Sequence, residues 1–246
     1  MKEKVVFCWS GGKDSALALH KVLQDDRYEV VSLLTTCNEH FQRVSMHGVR
    51  IALAEQQARA TGIPLDIIYL SRQTSNGEYQ QKMSGYLLSR KAEGVTGMVF
   101  GDIFLEDLKQ WREANLASIG MHGVFPLWKQ DTRALIEEFV SLGFASIVCC
   151  VNDAYLDESA VGRLIDRNFL KTLPSTVDPC GENGEFHSFA FDGPIFKERL
   201  RFRVGENVYR PIEETHPSSA HPGTLVCPLP GTPTTRGFWF CDLLEE

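Results

Sequence analysis

Val5-Val6-Phe7-Cys8-Trp9-Ser10-Gly11-Gly12-Lys13-Asp14-Ser15 is the stretch that decides how this chain folds. Five apolar residues read as a buried strand, and Ala16, Leu19, Val22 and Leu23 then fall on one stripe of a helix. Two adjacent glycines at the strand-to-helix turn allow backbone geometries closed to other residues and let an anion approach the main chain closely. The unpaired N–H groups and positive end of the following helix favour negative charge there, and Lys13 adds a mobile cation. Ser10 to Ser15 is therefore expected to cradle phosphate, the bland alternative being an ordinary turn capped by Asp14 or Ser15. The spacing is neither that of a Walker A loop nor that of the three-glycine dinucleotide fingerprint. So tight a turn suits a pyrophosphate unit better than a wrapped triphosphate chain.

Outward from this loop, apolar strands alternate with helices up to about residue 172. Strands are expected at residues 5–9, 29–36, 65–70, 98–102, 123–127 and 145–151. Helices are expected at 14–23, 49–60, 78–91, 106–118, 132–142 and 160–170. The pattern predicts an α/β fold with a doubly wound, mainly parallel sheet, whose ligands bind at the carboxyl ends of the strands. The rhythm changes near Leu173-Pro174, which divides the chain into a nucleotide-binding domain, 1–173, and a smaller, β-rich substrate-binding domain, 174–246. In the latter, residues 200–209 read as a hairpin turning at Gly205-Glu206-Asn207, and 216–233 as a Pro/Ser/Gly/Thr-rich loop.

At 246 residues, 43% apolar and 23% charged, the chain has the composition of a globular protein with a sizeable core. A net charge of -7 argues against a nucleic-acid-binding surface. No apolar run reaches the length of a membrane span, so a cytoplasmic protein is expected. Seven cysteines, without paired C-x-x-C spacing, suggest neither a disulfide scaffold nor a structural zinc site. Only Cys180, beside Gly181-Glu182, stands out among them.

Three further clusters carry chemistry. Gly101-Asp102-Ile103 follows the fourth expected strand, so Asp102 either serves Mg²⁺ and nucleotide or caps the next helix. His47, in Ser45-Met46-His47-Gly48, either contacts phosphate and protons or packs beside a helix; His40 and Arg43 are weaker candidates. The densest cluster is Asp178-Pro179-Cys180-Gly181-Glu182-Asn183-Gly184-Glu185-Phe186-His187, continuing to Asp192-Gly193-Pro194. Its acidic groups suit an amine, Mg²⁺ or proton removal from an attacking nitrogen. Arg199, Arg201 and Arg203 form either a carboxylate-recognising face or the solvated side of a strand.

Ser10-Gly11-Gly12-Lys13-Asp14-Ser15 resembles the pyrophosphate loop of ATP pyrophosphatases. Taken with Met46-His47, Gly101-Asp102-Ile103 and the motif from Gly181 to Pro194, the chain resembles the diphthine–ammonia ligase family over nearly its whole length. The resemblance implies an adenine nucleotide alpha hydrolase-like (PP-loop ATPase) fold and an AMP- and pyrophosphate-forming amide ligase. In such an enzyme a small-molecule or protein-borne carboxylate is adenylated and ammonia displaces AMP, with ATP and Mg²⁺ as cofactors and a homo-oligomer as one possible assembly. By resemblance, Ser10, Gly11, Gly12, Lys13, Asp14, Ser15, His47, Gly101 and Asp102 bind nucleotide. Asp14 and Asp102 face the metal, and Lys13, Glu182, Glu185 and His187 act at the reacting groups. Diphthine ligases usually read Gly-Glu-Gly-Gly-Glu-(Phe/Tyr)-Glu-Thr; here Asn183 replaces a glycine and His187 a carboxylate. These departures resemble a bacterial branch with another acyl substrate, in cobalamin-related metabolism. A tRNA-modifying PP-loop enzyme and a non-catalytic adenine-nucleotide-binding regulatory module are the competing readings.

Overall fold

The computed structural model of the protein describes residues 2–71, 74–212 and 234–246; the expected loop at 216–233 and Cys227 lie outside them. The first sheet is built around β1 (Glu3–Cys8), paired in parallel with β2 (Tyr28–Asn38) and β5 (Gly97–Val99). On one flank β4 (Leu65–Leu70) pairs with β2, and on the other β6 (His122–Val124) pairs with β5, both in parallel. A short β3 (Arg43–Val44) turns back antiparallel on the end of β2. The chain thus builds one flank of β1, then returns to build the other, and the reversal opens a crevice at the carboxyl ends of β1 and β5.

Alternation along β1 serves two cores. Val5 and Phe7 face the apolar cluster that includes α1 (Lys13–Leu23) and α2 (Ile51–Thr61), while Val6 faces Leu87 of α3 (Asn76–Ala92) and Leu116 of α4 (Glu106–Ser118). The expected doubly wound α/β arrangement is present, and α5 (Thr132–Ser141) joins the first of these cores through Leu135, Ile136 and Phe139.

The second sheet is antiparallel, in the order β8 (Phe186–Asp192), β7 (Ala145–Asn152), β10 (Gly237–Glu245), β9 (Phe202–Pro211). Here three sequence expectations are corrected. Residues 145–151 do form a strand, but β7 lies between β8 and β10 rather than in the parallel sheet. Its continuous apolar run records burial on both faces, which a central strand of either sheet experiences. The helix expected at 160–170 is reduced to a 3₁₀ turn (Glu158–Ala160) and α6 (Arg167–Thr172). Gly162, at φ 77°, ends the turn, and Gly162, Arg163 and Ile165 bond to the backbone of β7 instead of forming helical bonds. The hairpin expected at 200–209 is one continuous strand, because β9 pairs with β10 from Phe202 through Pro211. Its register slips between Cys241 and Leu243, placing one extra residue of β9 in a bulge around Gly205. A Cβ at Gly205 would stand 3.0 Å from the carbonyl oxygen of Asp242, so glycine at this point accommodates a close strand, not a reversal.

Candidate active site

The loop after β1 sits in the crevice between the two flanks of the first sheet. Gly11 has φ 78°, and Gly12 is the N-cap of α1, making no side-chain capping bond. Ser15 Oγ donates to the Gly12 carbonyl at 3.0 Å and lies 3.1 Å from Ser10 Oγ, so the two serines brace the turn from inside. Gly101, at the end of β5, packs so tightly that a Cβ would lie 3.2 Å from the nitrogen of Ser15 and 3.3 Å from the carbonyl of Asp14. The loop is a glycine turn at a helix N-terminus, where unpaired N–H groups favour negative charge.

The other wall is the second sheet. Lys13 N–H donates to Ser188 Oγ at 3.1 Å, and Ala190 N–H of β8 donates to the Gly11 carbonyl at 2.8 Å. Lys13 is 3% exposed. Its ammonium donates to the Asp14 carboxylate at 2.8 Å and to the Cys180 carbonyl, and it lies 4.9 Å from the centre of the Phe186 ring. Burial alone disfavours this charge, but the Asp14 carboxylate and neighbouring acidic groups outweigh it and hold Lys13 above the usual lysine range. Asp14 is itself raised, because burial outweighs the attraction of Lys13.

Segment 178–188 folds as a tight acidic turn. Gly181, at φ 66°, is fixed by the carbonyl of Phe186, which a Cβ would approach to 2.8 Å. Glu185, 1% exposed, accepts from the N–H groups of Asp178 and Asn183, each at 2.9 Å, and from the Asn183 side-chain amide at 3.1 Å. The structure therefore places Glu185 under the turn, and it gives the amide of Asn183 a partner. Glu182 instead reaches across to the Gly101-Asp102-Ile103 segment, accepting from the N–H groups of Ile103 at 2.7 Å and Phe104 at 3.2 Å. Burial, followed by repulsion from Asp14, pushes its carboxyl up to about 8 despite those two donors.

His47 and His187 face each other with ring centres 4.8 Å apart. The Nδ1 of His47 lies 2.9 Å from the Ser188 carbonyl, which can only accept, so Nδ1 carries the proton and Nε2 presents its lone pair. Burial drives His47 down to about 4 and His187 well below the usual histidine range, and Lys13 adds to both shifts. The pair is thus neutral at physiological pH. Met46 takes left-handed backbone, φ 66°, in the turn that presents His47. That turn is clamped from behind, since Asp242 of β10 pairs with Arg43 at 2.9 Å and with Arg50 at 2.7 Å.

Asp102 is placed at the crevice, as expected of a residue just after a strand, but its carboxylate pairs with Arg112 of α4 at 2.7 Å. It caps no helix, because the N-cap of α4 is Leu105. Arg112 lies 4.3 Å from the centre of the Phe100 ring. Among the described residues no cluster of three or more His, Cys, Asp or Glu is arranged to hold a metal ion. Six cysteines there are free thiols, and burial raises the Cys180 thiol, which donates to the Thr132 carbonyl at 3.2 Å. His40 and Arg201 are exposed, and Arg199 sits 3.5 Å from Asp192 and over the Phe191 ring.

Ser10 to Ser15, His47, Gly101, Glu182 and His187 thus converge at one junction. Sequence reasoning missed Gln57, Ser188, Arg112 and Asp242. Only Gln57 left a signal, a polar residue inside the helical stripe Leu53, Ala54 and Ala58. The whole describes a PP-loop ATPase α/β fold joined to a β-rich C-terminal part. Residues 3–123 match the Diphthamide synthase N-terminal domain family and residues 131–214 the Diphthamide synthase C-terminal domain family. The chain belongs to the diphthamide synthase family. It is 25% identical to a diphthine–ammonia ligase of Danio rerio over 234 residues, covering 83% of this chain and 88% of that protein. With the diphthine–ammonia ligase of Rattus norvegicus the identity is 22% over 265 residues, 93% of this chain and 96% of the relative. That of Homo sapiens is 24% identical over 163 residues, 64% of this chain and 61% of the relative.

Proposed function

We propose that this protein is an ATP-dependent amide ligase of the ATP pyrophosphatase type. The observation that carries the reading is the contact between the two motifs. Lys13, from the loop, lies against Asp14, the Cys180 carbonyl and Phe186, so the glycine loop and the acidic turn share one crevice. In the proposed reaction an oxygen of the substrate carboxylate attacks the α-phosphorus of ATP, and the bond to the β-phosphate oxygen breaks. Pyrophosphate is then held by the loop. The nitrogen of ammonia attacks the acyl carbon, the bond to AMP breaks, and one proton leaves the nitrogen.

Each group suits a part of this. The Gly11-Gly12 turn and the N-terminus of α1 stabilise the pyrophosphate charge as it forms. Glu182, titrating near 8, is poised to take a proton from the attacking nitrogen. The Nε2 lone pair of His47 can orient an N–H of ammonia, and His187 lines the same wall. Glu185 holds the turn that carries Glu182. The donor chemistry fits Mg²⁺ in the manner this ion prefers, one or two carboxylates with the remaining ligands from phosphates and water. Asp14 would hold it, while Asp102 contributes by fixing Arg112 beside the crevice. When bound, Mg²⁺ offsets charge on the phosphates.

The acyl substrate is a small-molecule or protein-borne carboxylate. The relatives are named for diphthine, whereas the neutral imidazole of His187 replaces a carboxylate of that family's motif, which favours a different acyl group here. The test incubates the protein with ATP, Mg²⁺, ammonium and a panel of carboxylates that includes cobalamin precursors and a diphthine-bearing protein. AMP and pyrophosphate in equal amounts, lost in Lys13→Ala, are expected. ADP and inorganic phosphate as products overturn the reading.

A further inference from the structure

Gln57 of α2 is fully buried, and every polar atom of its side chain is used. Its Oε1 accepts from the Trp9 indole N–H at 3.0 Å. Its Nε2 donates to the Gly11 carbonyl at 2.9 Å and to the Ala190 carbonyl of β8 at 2.6 Å. A burial this complete is costly unless all donors and acceptors are matched, and here they are. The three partners are the end of β1, the phosphate loop and the second sheet.

The consequence follows from peptide geometry. The Gly11 carbonyl is drawn inward by two donors, the Gln57 amide and the Ala190 N–H. In a planar trans peptide the C=O of one residue and the N–H of the next point in opposite directions. Fixing the Gly11 oxygen toward Gln57 therefore turns the Gly12 N–H to the opposite side of the peptide, where it donates to Ser10 Oγ at 3.3 Å. Gln57 also leaves no room for a side chain at Gly11, where a Cβ would stand 2.5 Å from its Oε1. We propose that Gln57 is the positioning residue of the phosphate loop, locking the Gly11–Gly12 peptide so that its N–H, bonded to Ser10 Oγ, is held on the phosphate side of the turn. It touches neither nucleotide nor acyl group and acts through the backbone. This assignment rests on the ATP-binding reading of the loop.

The test is calorimetric titration of the full-length protein with Mg²⁺-ATP and, separately, with adenosine, which lacks the phosphates. In Gln57→Leu the ratio of ATP to adenosine affinity is expected to fall at least tenfold, with adenosine affinity within twofold of the parent. Gln57→Glu has the same shape but donates only when protonated, so relative to the parent its ratio should recover as pH falls from 8 to 5.5. That variant decides the matter if the leucine variant does not fold. An unchanged ratio in both variants overturns the assignment of Gln57, as does an equal loss of ATP and adenosine, which marks a merely structural role. Failure of the parent itself to bind ATP overturns the reading of the loop and the assignment with it.

Discussion

Replacing His47 with glutamine should change how stability depends on pH, by an amount that follows from the burial of the ring. A histidine titrates near 6.5 in an unfolded chain, and in the fold His47 is driven down to about 4. Between those values the unfolded state binds the proton more tightly. The contribution is therefore intact above about 6.5 and is lost as pH falls toward about 4. Evaluating the two titrations at pH 7 and pH 5 gives a loss of about 2 kcal/mol for full desolvation. Since solvent reaches part of the ring, roughly 1 to 2 kcal/mol is expected. The raw pH profile of the parent will not display this. Glu182, raised to about 8, gains stability on acidification through the same interval and opposes it. The observable is the difference between parent and variant, in which Glu182 cancels, while His187, held down in part by His47, is lowered less in the variant and moves the difference in the same direction. Glutamine keeps a donor for the Ser188 carbonyl without a titrating ring. Urea unfolding followed by tryptophan fluorescence at pH 7, 6 and 5 should show the variant gaining on the parent with each step. A difference that is flat across this range, or that moves against the variant, refutes the placement of a neutral imidazole in this wall.

Gly12→Ala should reduce ATP affinity at least tenfold and lower stability by about 1 to 3 kcal/mol, because its Cβ would lie 2.6 Å from Cε1 of His47 and 3.1 Å from the Ser188 carbonyl. The φ of Gly12 is ordinary, so the effect is packing alone, and ATP titration with a thermal melt will read it. Asp242→Ala should cost about 1 to 2 kcal/mol in urea unfolding, since it strands Arg43 and Arg50 in a partly exposed clamp. A double-mutant cycle with Arg50→Ala should return a coupling that shrinks in high salt, and zero coupling in low salt would remove the clamp from the account. In Glu182→Gln the variant should gain stability on the parent as pH rises from 7 to 9. A carboxyl raised to about 8 contributes stability that is complete below about 4.5 and lost as pH climbs through 8. Equal slopes for the two proteins over that range would contradict the burial assigned to Glu182.

What the chain discloses in advance is what local chemistry dictates. The turn at Gly11-Gly12 is readable because its geometry, the strand before it and the helical stripe after it are all contiguous. Placement of Gly101 beside Ser15 also follows from a general property of open sheets, that loops after strands gather at one edge. The failures are non-local. An apolar run such as Ser146–Val151 says that a strand is buried on both faces without saying which sheet buries it. Gly205 reads as a turn because glycine usually marks one, yet its reason is the carbonyl of Asp242 on a strand remote in sequence. The acidic turn was legible as a polar concentration, but the division of labour inside it was not. Whether Glu185 or Glu182 faces the crevice depends on which finds backbone donors within its own turn and which reaches those of Ile103 and Phe104.

The same bonds explain why the loop after β1 needs the second sheet. A Gly-Gly turn gains its reach toward an anion from conformational freedom, and that freedom is costly to order. Helix α1 supplies little of that order to Gly11, since the bracing from Ser15 Oγ reaches only the Gly12 carbonyl and its N-cap, Gly12, makes no side-chain capping bond. Order comes instead from β8, through Ser188 on the Lys13 N–H and Ala190 on the Gly11 carbonyl, and from Gln57, which grips both strands of the junction at once. Ser188 then serves a second end, because its carbonyl fixes the tautomer of His47. A displacement of β8 by the width of one hydrogen bond would leave the Gly11 carbonyl held by Gln57 alone and would release the Lys13 amide and the His47 ring together. The loop and the acidic turn are for this reason one mechanical unit, and loss of the Ser188 hydroxyl should be felt at the loop more than in the fold.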